Sequence, residues 1–422
     1  MWLGPQPIVM IYCAEVIEKL FTGGKNLGKG HLYKFLLPWL GLGLLTYKPD
    51  KWRPRRKLLT PTFHYDILKS FVYIFNTQSE ILTGRLDEFF CGGRRAIVDA
   101  GHWVTLCALD IICESSMGQC VGAQLNEDSD YVKAVHTVND IIQRRQLNPF
   151  MWSDFVFKYF GEGREHVKAI ETLHGFRSKV IAERREQIRV DGGLRVNQKC
   201  NFLDLMLEME KNGELTLDDI SSEVDIFMFE GHDTTATGLT WAIQLLGCHP
   251  GIQEKVRGEI QAVVGNDPSD ITFEQLGRLK YLECCLKESL RLYPSVPIYN
   301  RVLDQDEVVD DKIIPRGTEI LINAYLMHRD AKYWPDPEAF RPERFTVEEA
   351  NGRHPYAYLP FSAGSRNCIG QRFALMEEKT VLVHLLSKFN IRSLKRMDEI
   401  RCKTELILRP DEPIMVELTL IK

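Results

Sequence analysis

Apolar residues recur along most of this 422-residue chain at the three-and-four spacing of helices. The spacing predicts helix over Ala14–Phe21, over much of 63–190, over 223–247 and 274–292, and over Gln371–Lys388, where Leu375, Leu382, Leu385 and Leu386 share one face. A further helical stretch after residue 201 is interrupted near Asn212 and Gly213. Extended, β-rich segments are few: 7–12, Glu307–Val309, 313–314 and 319–322. Residues 191–200 read as a surface loop and 333–345 as a Pro-rich meander. Helices with a small sheet assembled from distant pieces predict a mainly α fold, one large helical domain over 1–422 with a minor β region.

One helix breaks its own pattern. Phe227, Met228 and Phe229 precede it and Leu239 to Leu246 is apolar again, yet Glu230, Gly231, His232, Asp233, Thr234, Thr235 and Thr237 lie between. Buried polar groups cost roughly 1–3 kcal/mol each unless paired, so the insert asks for a reason. Glu230, Asp233, Thr234 and Thr237 follow the i, i+3, i+4, i+7 spacing of one face. A mid-helix Thr can bond back to the carbonyl one turn earlier and open room for a ligand. An acid beside an alcohol is what proton relay requires. A solvated stripe on a surface helix is the plainer alternative, which the apolar flanks disfavour.

The second departure is a Gly-rich turn, Phe361 to Gly370, with Cys368 just before the helix at 371. A helix N-terminus favours thiolate over thiol, the form that nucleophiles and metal ligands take. Gly364 and Gly370 allow a tight turn and close approach of a flat ligand. Arg366 adds a cation two residues before the sulfur. A lone buried Cys would be the structural reading of this position.

Charge adds three features. Residues 49–57 form the most basic cluster, with Trp52 and Arg56 on one helical face and Arg53 and Lys57 on the next. Glu288 and Arg291 are an i, i+3 pair that Arg344 of the meander would extend to three members. Residues 23–30 resemble a phosphate-binding loop, but Gly30 stands where Ser or Thr is needed and a helix precedes it, so a flexible loop is expected.

Composition narrows the class. A net charge of -5 gives no support for nucleic-acid binding. Eleven cysteines without a CxxC pair fit reduced thiols, and eleven histidines without HxH, HxxH or HxxxH argue against a histidine metal site. Residues 1–14 and 31–47 are too interrupted to span a membrane.

Four motifs in order, Trp52-x-x-x-Arg56, Gly231-x-Asp233-Thr234, Glu288-x-x-Arg291 with Arg344, and Phe361-x-x-Gly364-x-Arg366-x-Cys368-x-Gly370, resemble those of a cytochrome P450. The resemblance covers essentially the whole chain and is closest to the microsomal fatty-acid ω-hydroxylase branch, family 4, particularly its V subfamily. The run from Glu223 to Thr235 and that from Arg353 to Pro360 are similar to that branch almost residue for residue. The resemblance implies the P450 fold and haem b, with Cys368 as the axial thiolate on the iron. It implies Trp52, Arg56, Arg301 and Arg366 on the haem propionates, with Phe361 and Gly364 of the turn as further haem-binding residues. Asp233 and Thr234 would deliver protons, Glu230 can become esterified to a haem methyl, and Glu288, Arg291 and Arg344 would lock the core under the cysteine turn. Electrons would come from NADPH through cytochrome P450 reductase, with Arg53, Lys57 and Arg372 as contacts and cytochrome b5 as a further partner. The implied location is the cytosolic face of the endoplasmic reticulum membrane.

Relatives begin with an anchor, a first helix and a β hairpin, and this chain is expected to start within or just before that hairpin's second strand. The expected reaction is hydroxylation of a fatty acid at its terminal carbon. The rivals are oxidation of another lipid or a xenobiotic, an inactive haem-binding variant, and nucleotide binding at Lys29.

Overall fold

The structure is a computed structural model that describes residues 2–4, 6–126, 129–191 and 201–421. It opens on a hairpin, β1 (Trp2–Leu3) with β2 (Gln6–Ile11), followed by α1 (Ala14–Phe21), α2 (Leu37–Leu40), α3 (Pro49–Leu59) and α4 (Tyr65–Asp87). Then come β3 (Arg95–Asp99), α5 (Ala100–Met117), α6 (Asp130–Leu147), α7 (Asp154–Phe160), α8 (Gly163–Val190) and α9 (Phe202–Lys211). The central helix is α10 (Leu217–Cys248), followed by α11 (Pro250–Val263), α12 (Phe273–Arg278) and α13 (Lys280–Leu292). Strands β4 (Ile298–Val302), β5 (Glu307–Val309), β6 (Lys312–Ile314) and β7 (Glu319–Asn323) precede α14 (Ala324–Met327), α15 (Val347–Ala350) and α16 (Gln371–Lys388). The chain closes with β8 (Phe389–Ser393), β9 (Cys402–Thr404), β10 (Leu408–Pro410) and β11 (Met415–Leu420). The fold is mainly α, as expected.

The sheets are small and non-local: β1-β2-β7-β4, β3-β11-β8, and the hairpins β9-β10 and β5-β6. β2 runs parallel to β7 although more than 300 residues separate Ile8 from its partner Glu319. Two apolar cores result, a large one among the helices and a smaller one under β2, β4 and β7 built from Ile17, Leu20, Tyr299 and Ile322.

α10 starts where Thr216 and Asp219 bond each other's backbone N–H in a capping box, and it stops at His249 because Pro250 follows. It packs along α5, a helix buried on nearly every side. A side chain at Gly231 would collide with Ile112 of α5, so this glycine sets the helix separation.

Three expectations change. The segment 274–292 is two helices, broken at Leu279, because the Glu259 carboxylate accepts the N–H groups of Lys280, Tyr281 and Leu282 at 2.7–2.9 Å and starts α13 afresh. Within 63–190, β3 interrupts the helices, since Ala96 and Val98 are buried against β11 while Ile97 faces out. The loop at 23–30 is pinned: Asn26 exchanges two 3.0 Å hydrogen bonds with Asp304, Gly28 bridges Val302, and the Gly30 N–H donates to Asn300. Of the expected loop at 191–200, residues 192–200 lie outside the described residues.

Candidate active site

The cysteine turn is held from within and from α3. The Cys368 N–H donates to the Phe361 carbonyl at 2.9 Å and the Asn367 N–H to that of Gly364 at 3.2 Å. Gly364 has φ +69, and a Cβ there would lie 3.1 Å from the Phe21 carbonyl oxygen, so both backbone conformation and space demand glycine. Arg56 donates twice to Asn367, to the carbonyl at 2.8 Å and Oδ1 at 3.0 Å. Its guanidinium braces the turn. Trp52 lies beneath Arg366, the guanidinium 4.9 Å from its ring.

Burial, and then the charge of Glu230, push the Cys368 thiol up to about 11, and the Gly370 N–H and Arg56 only partly offset them. A metal would deprotonate it on binding.

A cluster of cations stands close by. Burial and the neighbouring Arg301 lower Arg366 to about 9, and burial with Arg301 and Arg366 depresses Lys29. Arg366 donates to the Tyr47 carbonyl, but among the described residues its Nε and Nη1 are buried without a hydrogen-bond partner. Arg301, on β4, donates to its neighbour's carbonyl at 2.8 Å and approaches Ser362 at 3.4 Å. Lys29 donates to the Tyr33 hydroxyl at 3.1 Å. Sequence reasoning set Lys29 aside with the phosphate-loop motif. Its only signal was a lysine among glycines, and tertiary packing gave it a site.

Across from the turn, Glu230 keeps its surface uncovered while deeply enclosed; burial pushes it up to about 7, against the pull of Lys29. Cys368 shows the same combination, so both line an interior space. The threonines bond back as expected, Thr234 to the Glu230 carbonyl at 2.6 Å and Thr235 to that of Gly231 at 2.9 Å. Asp233 does not share that space. Its carboxylate is wholly buried and bound by Asn139 of α6 at 3.1 Å and by Arg409 of β10, so the expected single face divides. Neither Asn139 nor Arg409 carries a motif that sequence reasoning could find.

Glu288, Arg291 and Arg344 do meet. Arg291 grips Glu288 through two 2.8 Å bonds and donates to the carbonyls of His328, Pro337 and Ala339. Arg344 closes on Glu288 at 3.2 Å. The network reaches the cysteine turn through His328, whose Nε2 accepts the Leu359 N–H at 2.8 Å. Arg53, Lys57 and Arg372 are exposed.

A mainly helical fold with a cysteine turn beneath a long polar-patched helix defines a haem-enzyme class. The family model described as Cytochrome P450 matches residues 1–418, and the chain belongs to that family, the cytochrome P450 monooxygenases. It is similar to Cytochrome P450 4V2 of Mus musculus, 47% identical over 99% of this chain and 81% of the relative. The Homo sapiens 4V2 is 46% identical with the same coverage, and Cytochrome P450 4c3 of Drosophila melanogaster 42%.

Membership brings haem b with its iron. The residues fit it: Arg366 has two unmet donors, like charges crowd at Lys29, Arg301 and Arg366, and both features call for an anionic group such as a pair of propionates. Cys368 supplies a soft donor.

Proposed function

We propose that this monooxygenase is a single P450 domain that hydroxylates fatty acids at the terminal carbon. The carrying observation is Glu230, an enclosed acid of α10 whose charge reaches both Lys29 and Cys368. Relatives named as family 4 support the branch. Cys368 would hold the haem iron, and Arg301, Arg366 and Lys29 its propionates, with Trp52 as the floor under Arg366. When bound, the haem supplies oxygen chemistry, one atom of dioxygen entering a C–H bond and the other leaving as water, with two electrons from NADPH. Thr234 then holds a hydroxyl at the space, and Asp233 behind it is the acid that renews its proton. Glu230, esterified to the haem or hydrogen-bonded, would fix the cofactor so that only a chain end reaches the reacting position.

Electrons would arrive from cytochrome P450 reductase at the face carrying Arg53, Lys57 and Arg372, with cytochrome b5 as an auxiliary donor. Among the described residues no helix is long and apolar enough to cross a membrane. Leu147, Phe150, Phe155, Tyr159 and Phe160 are exposed between α6 and α8, an apolar patch that suits the surface of the endoplasmic reticulum membrane.

Incubation with reductase, NADPH and a saturated fatty acid tests the reading. The terminal alcohol is the expected product; internal alcohols alone would refute the regioselectivity, and no oxidised lipid would refute the substrate. The reduced, carbon-monoxide-bound spectrum should show a thiolate band that Cys368→Ala removes.

A further inference from the structure

Three distant stretches meet behind Arg366. The Tyr47 carbonyl, in the loop between α2 and α3, accepts one N–H of Arg366, while the Tyr47 hydroxyl donates to Asp219 Oδ1 of α10 at 2.9 Å. Arg55 of α3 donates to the same Oδ1 at 2.6 Å, and its guanidinium lies 5.5 Å from the Tyr47 ring. The other oxygen of Asp219 accepts the N–H and the hydroxyl of Thr216, so the acid that starts α10 also holds the tyrosine. Although burial opposes it, the donors of Thr216 and Tyr47 and the charge of Arg55 hold Asp219 down to about 2. Burial, and then the bond to Asp219, push Tyr47 up to about 12, so near pH 7 a charged acid faces a protonated phenol. The backbone of the loop is fixed as well. Buried Glu223 of α10 accepts the Leu44 N–H at 3.1 Å, the Tyr47 N–H donates to the Gly43 carbonyl at 2.8 Å, and a side chain at Gly43 would collide with Ile226 and Glu223.

We propose that Tyr47 is the positioning residue of Arg366: tethered to Asp219 and Arg55, it sets its own carbonyl so that the Nε and Nη1 of Arg366 are held ready for the haem propionates. A guanidinium is flat and rigid. One N–H fixed on a carbonyl and one face held 4.9 Å from the Trp52 ring therefore settle both its plane and its rotation. Its two donors without a partner among the described residues then have a set direction before any anion arrives, and less freedom is lost on binding. Loss of the Tyr47 tether leaves Arg366 in place but lets its plane wander. The proposal rests on the reading that Arg366 binds the propionates.

The test follows haem transfer from the loaded enzyme to an acceptor globin together with the propionate-bending band in resonance Raman. Tyr47→Phe keeps the ring and the carbonyl and removes only the hydroxyl. Transfer should quicken about threefold, and the band should shift in the direction that Arg366→Gln shifts it. Added to Arg366→Gln, Tyr47→Phe should change neither readout, because a residue that acts through Arg366 has nothing left to position. Equal acceleration by Tyr47→Phe in both backgrounds makes its role merely structural and overturns the proposal. Wild-type transfer and band in Tyr47→Phe overturn it too. A wild-type rate and band in Arg366→Gln overturn the propionate reading itself, and the proposal falls with it. Should Tyr47→Phe not fold, Arg55→Gln is carried through the same cycle and decides by the same outcomes.

Discussion

Two buried charge clusters flank the cysteine turn, and they are built on opposite principles. Around Glu288, a carboxylate meets Arg291 and Arg344, and Arg291 spends its remaining donors on three carbonyls. Around Arg366, cations face one another and two donors are left over. The first is complete without any guest; the second is paid for only when an anion arrives. Completeness separates a structural network from a binding site better than burial or charge does, since both are buried and both are charged.

The contrast breaks most visibly at Arg291. Arg291→Ala leaves Glu288 uncompensated and should destabilise the fold by about 3–5 kcal/mol. A loss under 1 kcal/mol in a denaturant titration would show that the network is not complete.

A buried acid sharpens it next. Among the described residues Glu378 has no cation partner, and burial raises it to about 8 from 4.5. Between those values the unfolded chain has lost its proton and the native state keeps it, so stability falls as pH rises, by up to ~1.4 kcal/mol per unit. Glu378→Gln should flatten that fall by about 2–3 kcal/mol between pH 5 and 7. Parallel stability curves for variant and wild type would contradict it.

Arg366→Gln should act with the other sign in the two states. Without haem, melting should rise by the equivalent of roughly 1 kcal/mol, because a crowded charge is removed. With haem, transfer to an acceptor globin should quicken tenfold or more, for the loss of a charge-assisted bond of about 1.5–3 kcal/mol. A destabilised haem-free variant would place this cluster in the structural class.

The smallest effect is expected at Arg53. Arg53→Ala should move stability by less than about 0.5 kcal/mol and yet slow reduction by the reductase. An unchanged reduction rate removes Arg53 from the docking face.

Local pattern was enough for much of this. The limits of Ala14–Phe21 and Gln371–Lys388 match the helices found; the first buries one stripe, Ala14, Ile17, Leu20 and Phe21, and the second is buried on every side from Glu377 to Leu386. The family motifs were legible because, Arg344 apart, the residues of each lie within ten positions of one another. What stayed hidden depends on residues far apart: β3 needs β11, the start of α13 needs Glu259, and Lys29 becomes a site residue only where Arg301 and Arg366 meet it.

The chemistry divides the same way. By itself, the sequence determined the mainly helical class, the cysteine turn and the threonine patch, since spacing along a helix or turn sets which side chains stand together. Only the tertiary structure decided their partners: Cys368 enclosed within reach of the charge of Glu230, Arg56 on Asn367, and Asp233 turned away from Thr234 to Arg409. Desolvation and pairing with distant groups set the charge of a buried side chain, and neither is written in its neighbours along the chain.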